Sequence, residues 1–413
     1  AKKRAALTIA LADIGGDWPL EKVTGGLSAI AESCLKAACD FCLREIARRG
    51  AIDLRHENDP SLESGLVVLG MGKLGARELN YSSDIDIILL FDPDVIQTSQ
   101  PGELQSAMVR LARQMLRIMD ERTADGYVFR TDLRLRPDPS ATPLAISVLA
   151  AEAYYESLGQ NWERAAMIKA RPVAGDLEAG ARFLEWLRPF IWRKHLDFAA
   201  IQDIHSIKRQ INAYRGGAEI AVDGHNIKIG RGGIREIEFF VQTQQLIWGG
   251  REVALRGKAT CDTLRALTKF GQVSEEVRDE MLAAYEFLRT VEHRLQMIND
   301  QQTQTLPDTD QGLLALATFL GYETLDAFKA DLLLHLRNVE NNYAELFEDD
   351  TPLTGDSTTG NLSGVGLQLG PGPDSSRVVV ISALDSSPAA DAGVTSGAEV
   401  LSVNGLPVAD LGL

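Results

Sequence analysis

Two aspartates separated by one residue, Asp84 and Asp86, begin the otherwise apolar run "DIDIILLFD" (84–92). Because side chains alternate along a strand, both carboxylates would lie on one face. Two negative charges this close raise each other's pKa unless a divalent cation or basic groups neutralise them. Magnesium, which prefers oxygen ligands, would neutralise such a pair. The pattern therefore predicts a metal-dependent nucleotidyl-transfer site where this strand begins.

A third carboxylate would complete that site. Asp132 lies in "YVFRTDLRLR" (127–136), where polar and apolar residues alternate as in a strand with one polar face. Three arginines share that face and could balance phosphate charge. They are Arg130, Arg134 and Arg136. In a two-metal site, ions about 3.5 to 4 Å apart hold both the attacking and the leaving group. We therefore predict that the three aspartates are catalytic and hold two Mg²⁺ or Mn²⁺ ions.

A glycine-rich turn lies just before the two aspartates. It follows the apolar run "GLVVLG" (65–70) and spells G-x-G-x-x-G. Backbone N–H groups at such a turn can cradle the phosphates of a nucleotide. Around and beyond the turn we predict a set of nucleotide- and phosphate-binding residues. They are Gly70, Gly72, Lys73, Ser82, Ser83, Arg134, Arg136, Lys169 and Arg171.

The same glycines, Gly70, Gly72 and Gly75, also fit a dinucleotide-binding turn of the dehydrogenase type. Asp92 lies at about the spacing from the first glycine at which an acid binds the ribose. This interpretation leaves the D-x-D pattern unexplained, whereas the transferase interpretation gives every group a role. We therefore favour the transferase interpretation.

Hydrophobic spacing predicts the elements that would position these residues. A helix is expected from Leu27 to Arg49 and another over 106–122. The runs 65–70 and 84–92 predict two strands, joined by a short helix over 74–79.

The second half of the chain is predicted to be a helical assembly. From about residue 150 to 349 almost every segment has helical spacing. The interruptions are at 171–176, 224–233 and 305–310.

Composition changes near Thr351, where a Thr-, Gly- and Ser-rich segment predicts a linker. Beyond it, short β-like runs predict a small β-rich module. They are "VGLQLG" (365–370), "VVVISAL" (378–384) and "AEVLSVNG" (398–405).

Composition also limits the class of partner. The 413 residues carry a formal net charge of −16, which argues against nucleic acid as the main partner. The four cysteines show no paired C-x-x-C spacing, so neither a zinc site nor a disulfide framework is expected. We find no apolar run of about 18 residues and no export signal, and therefore expect no membrane association and a cytoplasmic location.

Six motifs, in order along the chain, resemble the bacterial glutamine synthetase adenylyltransferase, also called the adenylyl-removing enzyme. They are "GMGKLGARELNYSSDIDIILLFD", "YVFRTDLRLRPDPS", "NWERAAMIKARPVAGD", "DFAAIQDIHSIKRQI", "NIKIGRGGIREIEFFVQTQQLIWGG" and "RLQMINDQQTQTLP". The last two motifs are most similar to the N-terminal, adenylyl-removing module of that family. The family has two nucleotidyltransferase modules, and this chain has one D-x-D copy.

The resemblance implies an α+β fold. Its centre would be a DNA polymerase β-like nucleotidyltransferase domain with a mixed sheet, flanked by helices and followed by a helical bundle. We divide the chain accordingly into an N-terminal helical segment (1–60), the catalytic domain (61–185), a helical domain (186–350), a linker (351–362) and a C-terminal module (363–413).

The resemblance also implies a reaction. Inorganic phosphate would attack the AMP phosphorus of an adenylylated tyrosine on glutamine synthetase and release ADP. In the full-length family a uridylylated signalling protein of the PII type tips the balance toward removal. The alternatives are an ATP-dependent adenylyltransferase acting on glutamine synthetase and a non-catalytic fragment that binds it. Four residues of a family motif could contact substrate or brace one helix against another; they are Arg231, Arg235, Glu236 and Glu238.

The C-terminal module resembles the PDZ module of carboxyl-terminal processing proteases. The sequence ends before the helix that would complete the peptide groove, so we do not expect this PDZ-like segment to bind a peptide.

Overall fold

The computed structural model describes residues 2–193, 220–298 and 302–348, together with four short strands of the C-terminal tail. The chain divides into two compact units, Ala1–Leu353 and Thr354–Leu413. The predicted linker and the helical prediction for 194–219 lie outside the described residues. No helix in the described ranges is both long enough and apolar enough to cross a membrane.

The first unit contains a five-stranded mixed sheet. Its strands are β1 (Leu66–Gly70), β2 (Ile85–Phe91), β3 (Thr131–Asp132), β4 (Ala145–Ser147) and β5 (Arg171–Gly175). The order is β3-β2-β1-β5, and β4 pairs with β2 further along the strand. Strand β1 runs antiparallel to β2 and to β5, whereas β3 and β4 run parallel to β2.

The antiparallel pairing of β1 and β2 excludes the dinucleotide interpretation. That fold joins parallel neighbouring strands through a crossover helix. Here a helix of four residues, Gly72–Gly75, lies between two strands that run in opposite directions. This helix begins earlier in the chain than the helix predicted over 74–79. Asp92 directly follows the second strand, and its carboxylate accepts a hydrogen bond from the backbone N–H of Asp94 at 3.0 Å.

Helices cover both faces of the sheet. Alternate residues of β1 and β2, including Val68 and Ile87, pack against the helices Leu20–Arg48 and Leu104–Asp120. These are the two helices predicted near 27–49 and 106–122. The other face, including Leu69 and Ile88, packs against later helices of this half. They are Val148–Ser157, Asn161–Met167, Leu177–Trp186 and Arg188–Ile191. With both faces buried, the strands are almost continuously apolar.

The predicted strand over 127–136 is wrong except for Thr131–Asp132. The carboxylate of Asp132 accepts a hydrogen bond from the backbone N–H of Arg134 at 2.8 Å and turns the chain. Arg136 then donates to the backbone carbonyl of Leu133 at 3.0 Å and to two carbonyls of the loop that follows at 2.8 and 3.3 Å. Side-chain to backbone bonding therefore replaces the extended ladder that the alternation predicted.

The segment 171–176 was expected only as an interruption between helices, but it supplies strand β5. It pairs with β1 across a register shift between Val68 and Leu69. Asp176 then caps the next helix by accepting a hydrogen bond from the N–H of Ala179 at 2.9 Å.

The predicted helical assembly is present in the described residues after Ile220. Its helices are Ile234–Trp248, Thr260–Lys269, Glu275–Met297, Asp310–Phe319 and Leu325–Glu348. They share one apolar core that includes Leu264, Leu288 and Leu336. The longer helices begin at caps that the sequence supplies, such as Ser274, which accepts from the N–H of Val277 at 3.2 Å.

The first helix, Lys2–Ile14, packs on the helix Leu20–Arg48 through Ile9. Asp13 joins it to the helical half. Its carboxylate accepts hydrogen bonds from His293, Arg294 and Tyr81, each at 2.9 Å.

In the second unit the described strands form two antiparallel pairs. Leu367–Pro371 pairs with Val378–Ala383, and Ser402–Val403 pairs with Leu406–Pro407. Each of the three β-like runs predicted for the tail contains residues of one of these strands.

Candidate functional site

Two of the predicted aspartates meet across adjacent strands. Asp86 of β2 is paired in register with Asp132 of β3, so their side chains lie next to each other on one face. Asp84 precedes β2 by one residue. Burial, followed by the negative charges of Asp132 and Asp84, raises the pKa of Asp86 to about 6. The positive charges of Lys228 and Arg134 oppose that rise.

Arginines hold the other two carboxylates. Arg130 donates from Nε to Asp84 at 2.6 Å, and from Nη2 to the carbonyl and hydroxyl of Ser82 at 2.7 and 3.2 Å. The exposed Arg134 binds Asp132 with contacts of 2.6 to 3.1 Å. Its hydrogen bonds lower the pKa of Asp132 below the usual value. Both arginines therefore bind carboxylate oxygens of this group of aspartates. We call the group, Asp84, Asp86 and Asp132, the acidic edge.

The donor set fits a divalent cation. Three oxygen-bearing side chains converge here, and their repulsion is the kind that a hard cation relieves. Among the residues that the structure describes, no three acidic, histidine or cysteine side chains are close enough to hold a metal ion as they stand. Asp84 pairs with Arg130, and Asp132 pairs with Arg134. A cation would compete with these two arginines for the carboxylates.

The glycine turn packs closely against the site. Gly72 has a φ of +49°, and a Cβ there would lie 3.4 Å from a carboxylate oxygen of Asp86. At Gly75 a Cβ would lie 1.9 Å from the carbonyl of Lys169 and 2.5 Å from that of Gly70. Close backbone packing thus accounts for Gly75, and the backbone at Gly72 lies beside the aspartates. Phosphate binding by this turn stays a prediction.

Lys73 extends from the turn toward the helical half. Its side chain is 13% exposed, and its Nζ lies 3.2 Å from Oε2 of the fully buried Glu292. Burial and the positive charge of Arg289 lower the pKa of Lys73 to about 8, against the opposing charges of Glu292 and Glu238.

The two serines have partners in the structure. The backbone N–H of the buried Ser82 donates to Gln296 at 2.9 Å. The hydroxyl of Ser83 accepts from the backbone N–H of Asn80 at 3.3 Å.

Three other predicted phosphate ligands make structural contacts. Lys169 is buried, and its Nζ donates to Glu78 at 2.8 Å and to Thr260 at 3.2 Å. Arg171 donates to Glu32 at 2.5 Å and to backbone carbonyls of the glycine turn. Arg136 donates hydrogen bonds to backbone carbonyls of its own loop. Contact of any of them with phosphate stays a prediction.

Residues of the motif 231–238 make contacts within the protein, and contact with substrate stays a prediction. Arg231 forms an ion pair of 2.9 Å with Glu340 of the last helix of this unit. Glu238 lies 3.9 Å from Lys169, and Glu236 is buried. Arg235 is exposed, and its backbone N–H donates to the carbonyl of Lys228 at 2.9 Å.

Several residues near the aspartates were not predicted. Lys228 acts on Asp86 through its charge, and Gln302 donates to Asp84 at 3.2 Å. Glu292 contacts Lys73. All three come from the helical half. Because they are far from the aspartates along the chain, local sequence patterns did not indicate them. Lys228 and Gln302 lie inside the quoted motifs 226–250 and 294–307. Their position in these motifs is the sequence signal that could have indicated them.

Comparison with known proteins identifies both halves. Residues 1–186 match the family Glutamate-ammonia ligase adenylyltransferase. Residues 205–347 match the family GlnD PII-uridylyltransferase.

Curated relatives cover most of this chain. Three named "Bifunctional glutamine synthetase adenylyltransferase/adenylyl-removing enzyme" are from Bradyrhizobium sp. strain BTAi1, Rhizobium meliloti strain 1021 and Agrobacterium fabrum strain C58. They are 53%, 55% and 56% identical to this chain over 378, 371 and 362 residues. The alignments cover 92%, 90% and 88% of this chain but 38%, 37% and 36% of the relatives. The chain thus spans under two fifths of their length. Residues 1–186 therefore resemble a domain of the glutamate-ammonia ligase adenylyltransferase family.

Proposed function

We propose that this chain removes AMP from an adenylylated tyrosine of glutamine synthetase by metal-dependent phosphorolysis. The observation that carries the proposal is the register pairing of Asp86 with Asp132, with Asp84 beside them. The names of the relatives include both adenylyl transfer and adenylyl removal. The similarity of the last two quoted motifs to the adenylyl-removing module favours removal.

The residues of the site suit this chemistry. Inorganic phosphate carries negative charge and needs a positive field to approach the AMP phosphorus. Lys73 and Arg134 would supply it from the two sides of the acidic edge. The tyrosine leaves as a phenolate, whose conjugate acid has a pKa of about 10, so its developing charge must also be stabilised.

Asp84, Asp86 and Asp132 would hold the cations, two ions of Mg²⁺ or Mn²⁺. When bound, such ions neutralise the carboxylates and polarise phosphoryl oxygens. The turn residues Gly70, Gly72, Lys73 and Ser83 would seat the adenine nucleotide, with Ser82 contributing its hydroxyl. The mixed sheet with flanking helices supports a nucleotidyltransferase domain of the DNA polymerase β type.

The partners follow from the same proposal. They are glutamine synthetase as protein substrate, together with phosphate and an adenine nucleotide. The match of residues 205–347 to a PII-uridylyltransferase family supports a connection to PII-type signalling in the full-length proteins. The net charge of −16 does not favour nucleic acid. Such a substrate would place the chain in the cytoplasm.

For the tail we propose a PDZ-like module. Its two described strand pairs support a small β-rich unit.

Product analysis tests the proposal and its alternatives. The chain is incubated with adenylylated glutamine synthetase, Mg²⁺ and phosphate, and we expect ADP together with unmodified glutamine synthetase. Incorporation of AMP from ATP into unmodified glutamine synthetase would instead support the adenylyltransferase alternative. Binding to glutamine synthetase without either reaction would support the non-catalytic alternative.

A further inference from the structure

The helix Glu275–Met297 and the segment after it contact the predicted site at three places. The contacts join Lys73 to Glu292 at 3.2 Å, Ser82 to Gln296 at 2.9 Å and Asp84 to Gln302 at 3.2 Å. All three site residues lie within one short segment of the catalytic half. The helical half therefore supports the segment that carries much of the predicted chemistry.

Glu292, which contacts Lys73, also lies beside a buried arginine. Arg289, one turn before Glu292 and fully buried, lies 3.4 Å from it. Arg289 also donates to the backbone carbonyl of Glu78 at 2.7 Å and to the hydroxyl of Tyr285 at 2.6 Å. These hydrogen bonds anchor Arg289, whose charge lies beside the buried Glu292 carboxylate.

We propose that Glu292 is a positioning residue, which holds the ammonium of Lys73 in its charged form beside the glycine turn. The inference rests on the proposed function, in which that ammonium attracts phosphate. In this proposal the helical half is part of the catalytic unit.

The charges around Lys73 come from three elements. Glu292 and Arg289 lie on the long helix, Glu238 lies on the helix Ile234–Trp248, and Lys228 lies in the turn before that helix. Burial and the two cations lower the pKa of Lys73, whereas the two carboxylates raise it, and the result is about 8. Removal of the nearest carboxylate must therefore lower the pKa further, so Lys73 loses its charge nearer neutral pH.

The first test measures Lys73 directly and needs no turnover. The full chain and its Glu292→Gln variant are labelled with an amine reagent at a series of pH values, and labelling of Lys73 is read by peptide mass spectrometry. We expect the midpoint near pH 8 in the parent chain. In the variant it should fall by about one unit, a tenfold larger neutral fraction at a given pH. Glu286→Gln, an exposed change on the same helix, should leave the midpoint unchanged.

An unchanged midpoint in folded Glu292→Gln would overturn the inference. If that variant does not fold, Glu292→Asp decides the question, because the shorter side chain draws the carboxylate away from Lys73. Its midpoint should lie below that of the parent chain, and a midpoint equal to the parent's would also overturn the inference.

The second test measures ADP release from adenylylated glutamine synthetase across pH. Activity should be lost as pH rises through the pKa of Lys73, and in Glu292→Gln this loss should begin about one pH unit lower. Glu292→Asp should restore part of the difference. A parent chain that releases no ADP contradicts the proposed function, whereas the labelling result still decides the role of Glu292. A parent chain that is active, with a pH profile shared by Glu292→Gln, contradicts the role of Glu292 alone.

Discussion

Asp86 and Asp132 occupy paired positions on two adjacent parallel strands, and the negative charge of Asp132 disfavours ionisation of Asp86. A protein gains no stability from two such charges side by side. The arrangement is explained if the carboxylates bind a cation during function. Activity and stability should therefore respond in opposite directions when one of them is neutralised.

The variant Asp86→Asn should lose at least about a hundredfold in turnover, since it removes a charged ligand from the transfer site. In metal-free buffer it should be more stable than the parent chain by on the order of 1 kcal/mol, because a repulsive, partly buried charge is gone. Thermal unfolding in the presence of a chelator measures this difference. The exposed Asp94→Asn is the matched control and should change neither quantity. A less stable Asp86→Asn chain would contradict this account of the acidic edge.

Gly75 should tolerate no side chain. A Cβ at this position would lie 1.9 Å from the carbonyl of Lys169, so Gly75→Ala should cost about 3 kcal/mol or more through forced backbone movement. Gly25 provides the control, because it lies within a helix and a Cβ there meets nothing within 4 Å. Gly25→Ala should stabilise the protein by about 0.5 to 1 kcal/mol. Urea unfolding compares the two variants, and equal effects would show that the turn is less tightly packed than described.

Lys169 should matter for stability more than for phosphate binding. Lys169→Met leaves the buried carboxylate of Glu78 without its ammonium partner, which should cost about 3 to 5 kcal/mol. The double variant with Glu78→Gln should recover part of the loss. The KM for phosphate, measured on the folded protein, should stay close to that of the parent. A large rise in KM with unchanged stability would support the sequence-based prediction that Lys169 binds phosphate.

Asp13 should make stability depend on acid pH. Burial raises its pKa, but hydrogen bonds and charges from His293 and Arg294 outweigh that effect and lower the pKa to about 2. An acid with a lowered pKa contributes stability that is present above its ordinary value of 3.8 and is lost as pH falls toward 2. Asp13→Asn should therefore be less stable at neutral pH, and its disadvantage should shrink below pH 4. Unfolding from pH 2 to 7 measures this, with the exposed Asp17→Asn as control. A disadvantage that stays constant down to pH 2 would argue against the ionic role.

Local patterns predicted the groups of the site that lie on or beside the sheet. The apolar runs around Val68 and Ile88 located both central strands, and the D-x-D spacing put Asp84 and Asp86 at the start of one of them. The helical second half also agrees with expectation. These features depend on residues close together in the chain, where periodicity carries the information. The mixed sheet agrees with what the family resemblance implied.

Features that depend on distant contacts escaped prediction. Alternation over 127–136 predicted a long strand, but hydrogen bonds from Arg134 and Arg136 turn the chain after Asp132. A lysine in a motif, such as Lys169, looks the same whether it meets phosphate or a buried glutamate. The contact between Lys73 and Glu292 joins residues more than 200 positions apart, and neither local spacing nor composition signals it.

The central claim is that phosphate itself becomes part of the product. The most direct measurement uses ³²P-labelled inorganic phosphate with adenylylated glutamine synthetase, Mg²⁺ and the parent chain, followed by separation of the nucleotides. The account predicts labelled ADP, with the label in its β-phosphate, and loss of the signal in Asp86→Asn. Release of unlabelled AMP, or no release of nucleotide, would contradict it.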